Sequence, residues 1–175
     1  MSLIVETGLV NGGVTGAEVY VTVAEVDAYW VVRNNIVWVD YDIAVKEAAI
    51  RIACQYIDRL YRWKGQRKYA YQPMQFPRYW DAGTSMGVDM LYPGVFEVPN
   101  ILKEACCQLA IEAVDGNLLP SYGREASVSS ETIGPISTSY FANAPATTKR
   151  PMIDLLLAPL HNGKIIGGLS GEVTR

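Results

Sequence analysis

Ala49-Ile50-Arg51-Ile52-Ala53-Cys54-Gln55-Tyr56-Ile57-Asp58-Arg59-Leu60 forms the middle of the stretch, Tyr41–Arg78, whose reading decides the fold. Ala49, Ile52, Ala53, Tyr56, Ile57 and Leu60 recur at three- and four-residue steps, which predicts one apolar face of a helix. Glu47, Arg51, Gln55, Asp58 and Arg62 fall on the opposite face, and Glu47–Arg51 and Asp58–Arg62 stand at the pairing distance of one helical turn. Asp40 or Asp42 is expected to cap the start of this helix. Its end is expected at Tyr61 to Trp63, with Gly65 as C-terminal cap.

The exit from the helix carries the strongest charge bias in the chain. Seven of the fifteen basic residues lie between Arg51 and Arg78: Arg51, Arg59, Arg62, Lys64, Arg67, Lys68 and Arg78. Asp58 is the single acid among them, and Tyr61, Trp63, Tyr69 and Tyr71 are interleaved. Two readings of this pattern stand. Basic residues contact phosphates and aromatics stack on bases, as on a nucleic-acid-facing surface. Alternatively, the arginines pair with acids of a neighbouring subunit while the aromatics fill the core. The net charge of −3 argues against a protein that coats nucleic acid over its whole surface.

Working outward, residues 2–5 and Glu18-Val19-Tyr20-Val21 read as short strands around a turn-rich segment with Gly8, Gly12, Gly13 and Gly16. That glycine pattern is no phosphate loop. Thr22 with Glu25 forms a capping box for a helix carrying Val23, Val26, Tyr29 and Trp30 and ending near Asn34-Asn35. A link through Trp38 follows. Residues 64–99 read as a long loop rich in proline, glycine and aromatics, expected to pack on its own domain or on a partner. Tyr69, Tyr71, Phe76, Tyr79 and Trp80 are its candidate interface aromatics. Pro99 or Asn100 opens another helix, with Leu102, Ala105, Cys106, Leu109 and Ala113 buried and Gly116 at its end. Residues 126–141 read as a hairpin turning at Gly134-Pro135. Met152 to Leu160 is a last short helix, and Ile165-Ile166 is a candidate strand in the arm 161–175. The expectation is one mainly α domain over 1–175, with three to four helices and a β-hairpin or extended arm.

The chemistry expected is sparse. Cys54, Cys106 and Cys107 fit neither a disulfide framework nor a zinc pattern and read as buried thiols in a reducing compartment. The single histidine, His161, reads as stabilising a helix end. Asp40 and Asp42 lack the partners of a calcium loop. No nucleophile elbow, Walker loop or zinc-protease motif occurs, so no catalytic residue, metal, cofactor or enzymatic activity is expected. No apolar run reaches the ~18 residues of a membrane span, and the first residues lack the pattern of a signal peptide.

Several stretches, in order, resemble the phage head–tail connector adaptors, a family whose members often bear the label DnaT-like single-stranded DNA-binding protein. They are Ser2-Leu3-Ile4-Val5-Glu6-Thr7-Gly8, Ala17 to Tyr29, Ala48 to Asp58, and Tyr61-Arg62-Trp63-Lys64-Gly65. Gln72-Pro73-Met74-Gln75-Phe76-Pro77-Arg78, Val98 to Ala105, Gly134 to Tyr140, and Pro151 to Leu160 continue the match. Residues 79–97 and the tail after Leu160 are longer than that pattern. The resemblance implies a structural virion protein: a small helical adaptor in a ring of about twelve copies. That ring would sit in the neck between portal and tail or tail terminator, continue the channel for double-stranded DNA, and be assembled in the host cytoplasm. Arg59, Arg62, Lys64, Arg67 and Lys68 would then face DNA or a protein partner. The alternative from the same resemblance is a replication-type single-stranded-DNA-binding module.

Overall fold

A computed structural model describes residues 2–8, 13–79, 98–116, 118, 130–133, 136–139 and 150–165. The described part is mainly α, and the chain divides into two units, Met1–Leu118 with Pro151–Arg175, and Leu119–Arg150.

The first unit starts where Val5 meets Val19 in a parallel bridge rather than in full strands. The Glu6 carboxylate, fully buried, accepts from the amides of Gly8 and Val14, both at 2.9 Å, and so satisfies the intervening turn from inside. Gly13 has φ +81°, and a Cβ there would lie 3.2 Å from that of Gln72 and 3.3 Å from the Glu6 carboxylate. Only glycine fits this close approach without strain.

Helix α1, Val23–Val32, starts at the expected capping box: Glu25 N donates to Thr22 Oγ1 at 3.1 Å, and Thr22 N to Glu25 Oε2 at 2.7 Å. The link through Trp38 is itself a short helix, α2, Ile36–Val39. It turns Trp38 into the core, where the indole donates to Asp27 at 2.7 Å. Asp42 holds the cap position of α3, Ile43–Leu60, but its side chain makes no capping bond. Around this corner Val31, Val32, Ile36, Val37 and Ile43 are exposed.

Helix α3 buries Ala49, Ala53, Tyr56, Ile57 and Leu60 as its periodicity predicts, with Ile50 and Cys54 added; Ile52 is only half-buried. It packs mainly against α4, Asn100–Val114. Small residues on both sides, Ala49 and Ala53 against Ala105, Ala110 and Ala113, suit close approach of the axes. Trp30 donates to the Cys107 carbonyl at 3.1 Å and Lys103 pairs with Glu25 at 2.8 Å, which fastens α1 to α4.

The end of α3 differs from the expected one. The helix stops at Leu60, and Gly65 is not its cap. The chain passes directly into β1, Tyr61–Trp63, because a strand from far along the chain takes its backbone groups. That strand, β6, His161–Lys164, runs antiparallel to β1. Ile165 N donates to Leu60 O at 2.7 Å and Lys64 N to Leu160 O at 3.0 Å. Gly65, at φ 67°, makes the turn that follows.

Residues 64–79, expected as loop, hold a two-residue antiparallel pair, β2, Gln66–Arg67, and β3, Arg78–Tyr79. Helix α5, Pro151–Leu157, continues as a 3₁₀ turn, Ala158–Leu160, into β6. The second unit contains the expected hairpin as β4, Ser130–Ile133, paired antiparallel with β5, Ile136–Ser139. The turn expected at Gly134-Pro135 and all of residues 80–97 and 166–175, including Ile166, lie outside the described residues.

Leu109 sits fully buried in α4. Leu109→Ala is expected to lower unfolding stability by about 2–5 kcal/mol, measured by denaturant titration. A loss within 0.5 kcal/mol, roughly the scale of a surface change, contradicts the placement of the core.

Candidate functional site

The five basic residues read from the sequence as partner-facing do not share one environment. Arg62 sits on β1 between Tyr61 and Trp63, which are 2% and 9% exposed, so strand alternation directs it outward. Arg59, one residue before the end of α3, and Arg67 on β2 are also exposed. Among the described residues no ion pair neutralises these three arginines. Lys64 and Lys68 are half-buried. Lys64 Nζ donates to the Pro159 carbonyl at 3.0 Å, and Lys68 Nζ lies 5.2 Å from the Tyr69 ring centroid. The other two members of the basic run are occupied: Arg51 pairs with Glu18 at 2.9 Å and with Glu47 at 3.7 Å, and Arg78 is 8% exposed.

The aromatics divide in the same way. Phe76 is 1% exposed and packs edge-on against Trp63 and Tyr20, at 4.9 and 6.2 Å between ring centres. Phe76 is therefore core and not an interface aromatic, and Trp63 is no platform for a base. Tyr69 is half-buried; Tyr71 is 97% exposed and Tyr79 47% exposed. Trp80 lies outside the described residues.

What holds this segment in place is a buried polar knot. Asp58 is not on a wet face paired with Arg62, as its helical position suggested. Its carboxylate accepts from the Tyr20 hydroxyl and, at 3.2 Å, from the Gln75 amide. The Phe76 amide donates to the Tyr20 oxygen at 3.2 Å. Arg78 donates to the carbonyls of Lys64, Gly65 and Gln75 at 2.8, 2.6 and 3.2 Å, closing the turn after β1 onto the loop before β3. Gln72, 2% exposed, accepts from Tyr69 N at 3.0 Å and donates to the carbonyls of Met74 and Pro77 at 2.8 and 3.0 Å. Tyr20, Gln72 and Arg78 carry no spacing that marks them in the sequence, since each acts through a partner distant along the chain or through a backbone carbonyl.

Burial raises the Asp58 carboxyl to about 6, against the pull of its bonds from Tyr20 and Gln75 and of the nearby Arg78. Burial, with the Asp58 charge, raises the Tyr20 hydroxyl. Beside the knot, on the outer face of α3 and with Asp58 in its wall, lies an open groove of about 360 Å³. Arg51, Ile52, Gln55 and Arg59 line it along the helix, with Glu18 and Met74 opposite.

Among the described residues no cluster of His, Cys, Asp and Glu suits a metal ion. The three cysteines are free and buried; burial, ahead of the neighbouring Cys54, raises the thiols of Cys106 and Cys107, the latter to about 12. His161 stabilises no helix end. It lies in β6 opposite Trp63, stacks on Tyr61 at 4.6 Å, and accepts from Gly163 N at 2.8 Å through Nδ1. Burial lowers its pKa. No described helix is long and apolar enough to cross a membrane.

The raised Asp58 pKa gives a signed expectation. The carboxyl ionises at about 6 in the folded chain and at its ordinary 3.8 when unfolded, so its contribution to stability falls as pH rises through that window. His161, with a lowered pKa, acts oppositely: its contribution falls as pH drops below its ordinary 6.5. Asp58→Asn removes the first effect alone. The stability difference, variant minus wild type, is expected to rise by on the order of 3 kcal/mol between pH 4 and 7, read from urea titrations. A difference that is flat across this range contradicts a buried carboxylate.

A family model described as "Putative DnaT-like ssDNA binding protein" matches residues 1–175. No curated protein and no solved structure matches the chain. The family match agrees with the label attached to the resemblance noted above and corrects its main implication. The matched description names single-stranded DNA, which overturns the expectation of a head–tail connector. Nothing in the match or in the described residues supports a portal partner, a tail partner or a twelve-copy ring.

Proposed function

The chain belongs to the family of DnaT-like single-stranded-DNA-binding proteins, and from that premise we propose that it binds single-stranded DNA along the segment Arg59–Tyr71. Arg59, Arg62 and Arg67 contact phosphates, with Lys64 and Lys68 adding charge beside them. Tyr71 supplies a face on which a base stacks. The observation that carries this reading is the segregation of roles within one basic run. Arg78 and Gln72 are buried in the frame, while three exposed arginines without ion pairs among the described residues remain on its outer side. A frame with few internal degrees of freedom loses little conformational entropy on binding, which favours affinity. The net charge of −3 confines attraction for DNA to this patch rather than to the whole surface. The reading assigns the protein a binding role without catalysis.

Fluorescence anisotropy with labelled oligo(dT) across a salt series tests it. Each phosphate contact contributes about −0.7 to the slope of log K against log salt. Arg62→Ala or Arg67→Ala is therefore expected to make the slope shallower by about that amount. Tyr71→Ala is expected to cost ~1–3 kcal/mol of affinity with the slope unchanged. Binding that is indifferent to all three substitutions contradicts the assignment.

A further inference from the structure

We propose that the groove on the outer side of α3 is a base-binding subsite: it seats one unstacked base of a single strand, with Gln55 pairing to the base edge. This rests on the single-strand-binding reading above and extends it to a site that reading does not require.

Size, charge and chemistry each restrict the occupant. A volume of about 360 Å³ lies at the small end of ligand clefts, roughly 300–1,000 Å³, which suits one base with its sugar and little more. The lining carries two cations, Arg51 and Arg59, and two carboxylates, Glu18 and Asp58, so its formal charges cancel. A phosphate gains little from such a groove, whereas a neutral, planar ring loses nothing by entering it. Three of those four groups are moreover engaged. Arg51 and Glu18 hold each other at 2.9 Å, and the Asp58 oxygens accept from Tyr20 and Gln75.

What remains for a ligand is apolar wall, one amide and, at the rim, the exposed Arg59 guanidinium. Ile52 and Met74 offer surface for the ring face. The exposed Gln55 side chain carries a donor and an acceptor side by side, which matches the adjoining donor and acceptor on the edge of a base. Arg59 both lines the groove and begins the exposed basic run. Arg51, Gln55 and Arg59 stand four residues apart on one helix face, so a base beside Gln55 leaves its phosphate within the domain of Arg59. The groove holds the base while the basic run holds the backbone.

The test compares oligo(dT) with an abasic strand of the same phosphate count, using the full chain and Gln55→Leu. Leucine keeps helix propensity and bulk but removes the amide, and thermal unfolding confirms that the variant folds. The expected result is roughly tenfold weaker binding of oligo(dT) by the variant, an unchanged salt slope, and equal binding of the abasic strand by both proteins. If wild type binds oligo(dT) and Gln55→Leu binds it equally, the groove is not a base site and the reading along Arg59–Tyr71 survives. If the variant loses equal affinity for both strands, its effect does not pass through a base, and the proposal is overturned. If wild type binds no oligo(dT) at any salt, the functional reading itself falls and the subsite with it.

Discussion

The half-buried carboxylate of Asp58 is the constraint on which the outer face depends. It sits near the end of α3, where the helix gives way to strand, and takes bonds from Tyr20 before the first helix and from Gln75 in the following loop. One group thus joins three segments distant in sequence. Leaving such a group unpaired costs about 1–3 kcal/mol or more, so its partners are held once the core has closed. Arg78 completes the frame by gathering carbonyls from both ends of the loop. Asp58 and Arg78 therefore turn their polarity inward, the Arg67 side chain touches the frame only through the Gln72 carbonyl at 3.4 Å, and Arg59 and Arg62 are left for solvent.

This partition explains how a chain of net charge −3 presents a basic surface. The acids near the run are used locally: Asp58 in the knot, Glu18 and Glu47 on Arg51, and Asp154 on Lys164 at 2.7 Å. The pairing of β6 with β1 brings Lys164 and Asp154 beside Tyr61 as an already neutralised couple. They add rigidity to β1 and little field. What extends outward from Arg59 to Arg67 is the excess that local pairing does not cancel.

The sequence makes the helices legible wherever the signal is local. The Thr22–Glu25 capping box, the apolar stripe of α3 and the stripe of α4 each state their structure within a few turns of chain. The end of α3 is not legible, because residues 160–165, a hundred positions away, take the backbone of Leu60 and Lys64. The same reason hides the site. Phe76 and Trp63 look like exposed aromatics beside charge, yet the frame turns them inward, and Tyr71 is exposed to a degree that no periodicity shows. Asp58 obeys the helical wheel in direction but meets Tyr20 and the Gln75 loop there, and is left only half-exposed at the wall of the groove. The basic run itself was readable; which of its members are free depends on tertiary partners.

Hydrogen–deuterium exchange of the full chain, with and without saturating oligo(dT), tests the central claim most directly, because it locates the strand. The account predicts added protection across residues 51–71, spanning the outer face of α3, β1 and β2, with little change in α4. Binding that leaves this segment unchanged and protects the exposed apolar corner at residues 31–43 instead contradicts it.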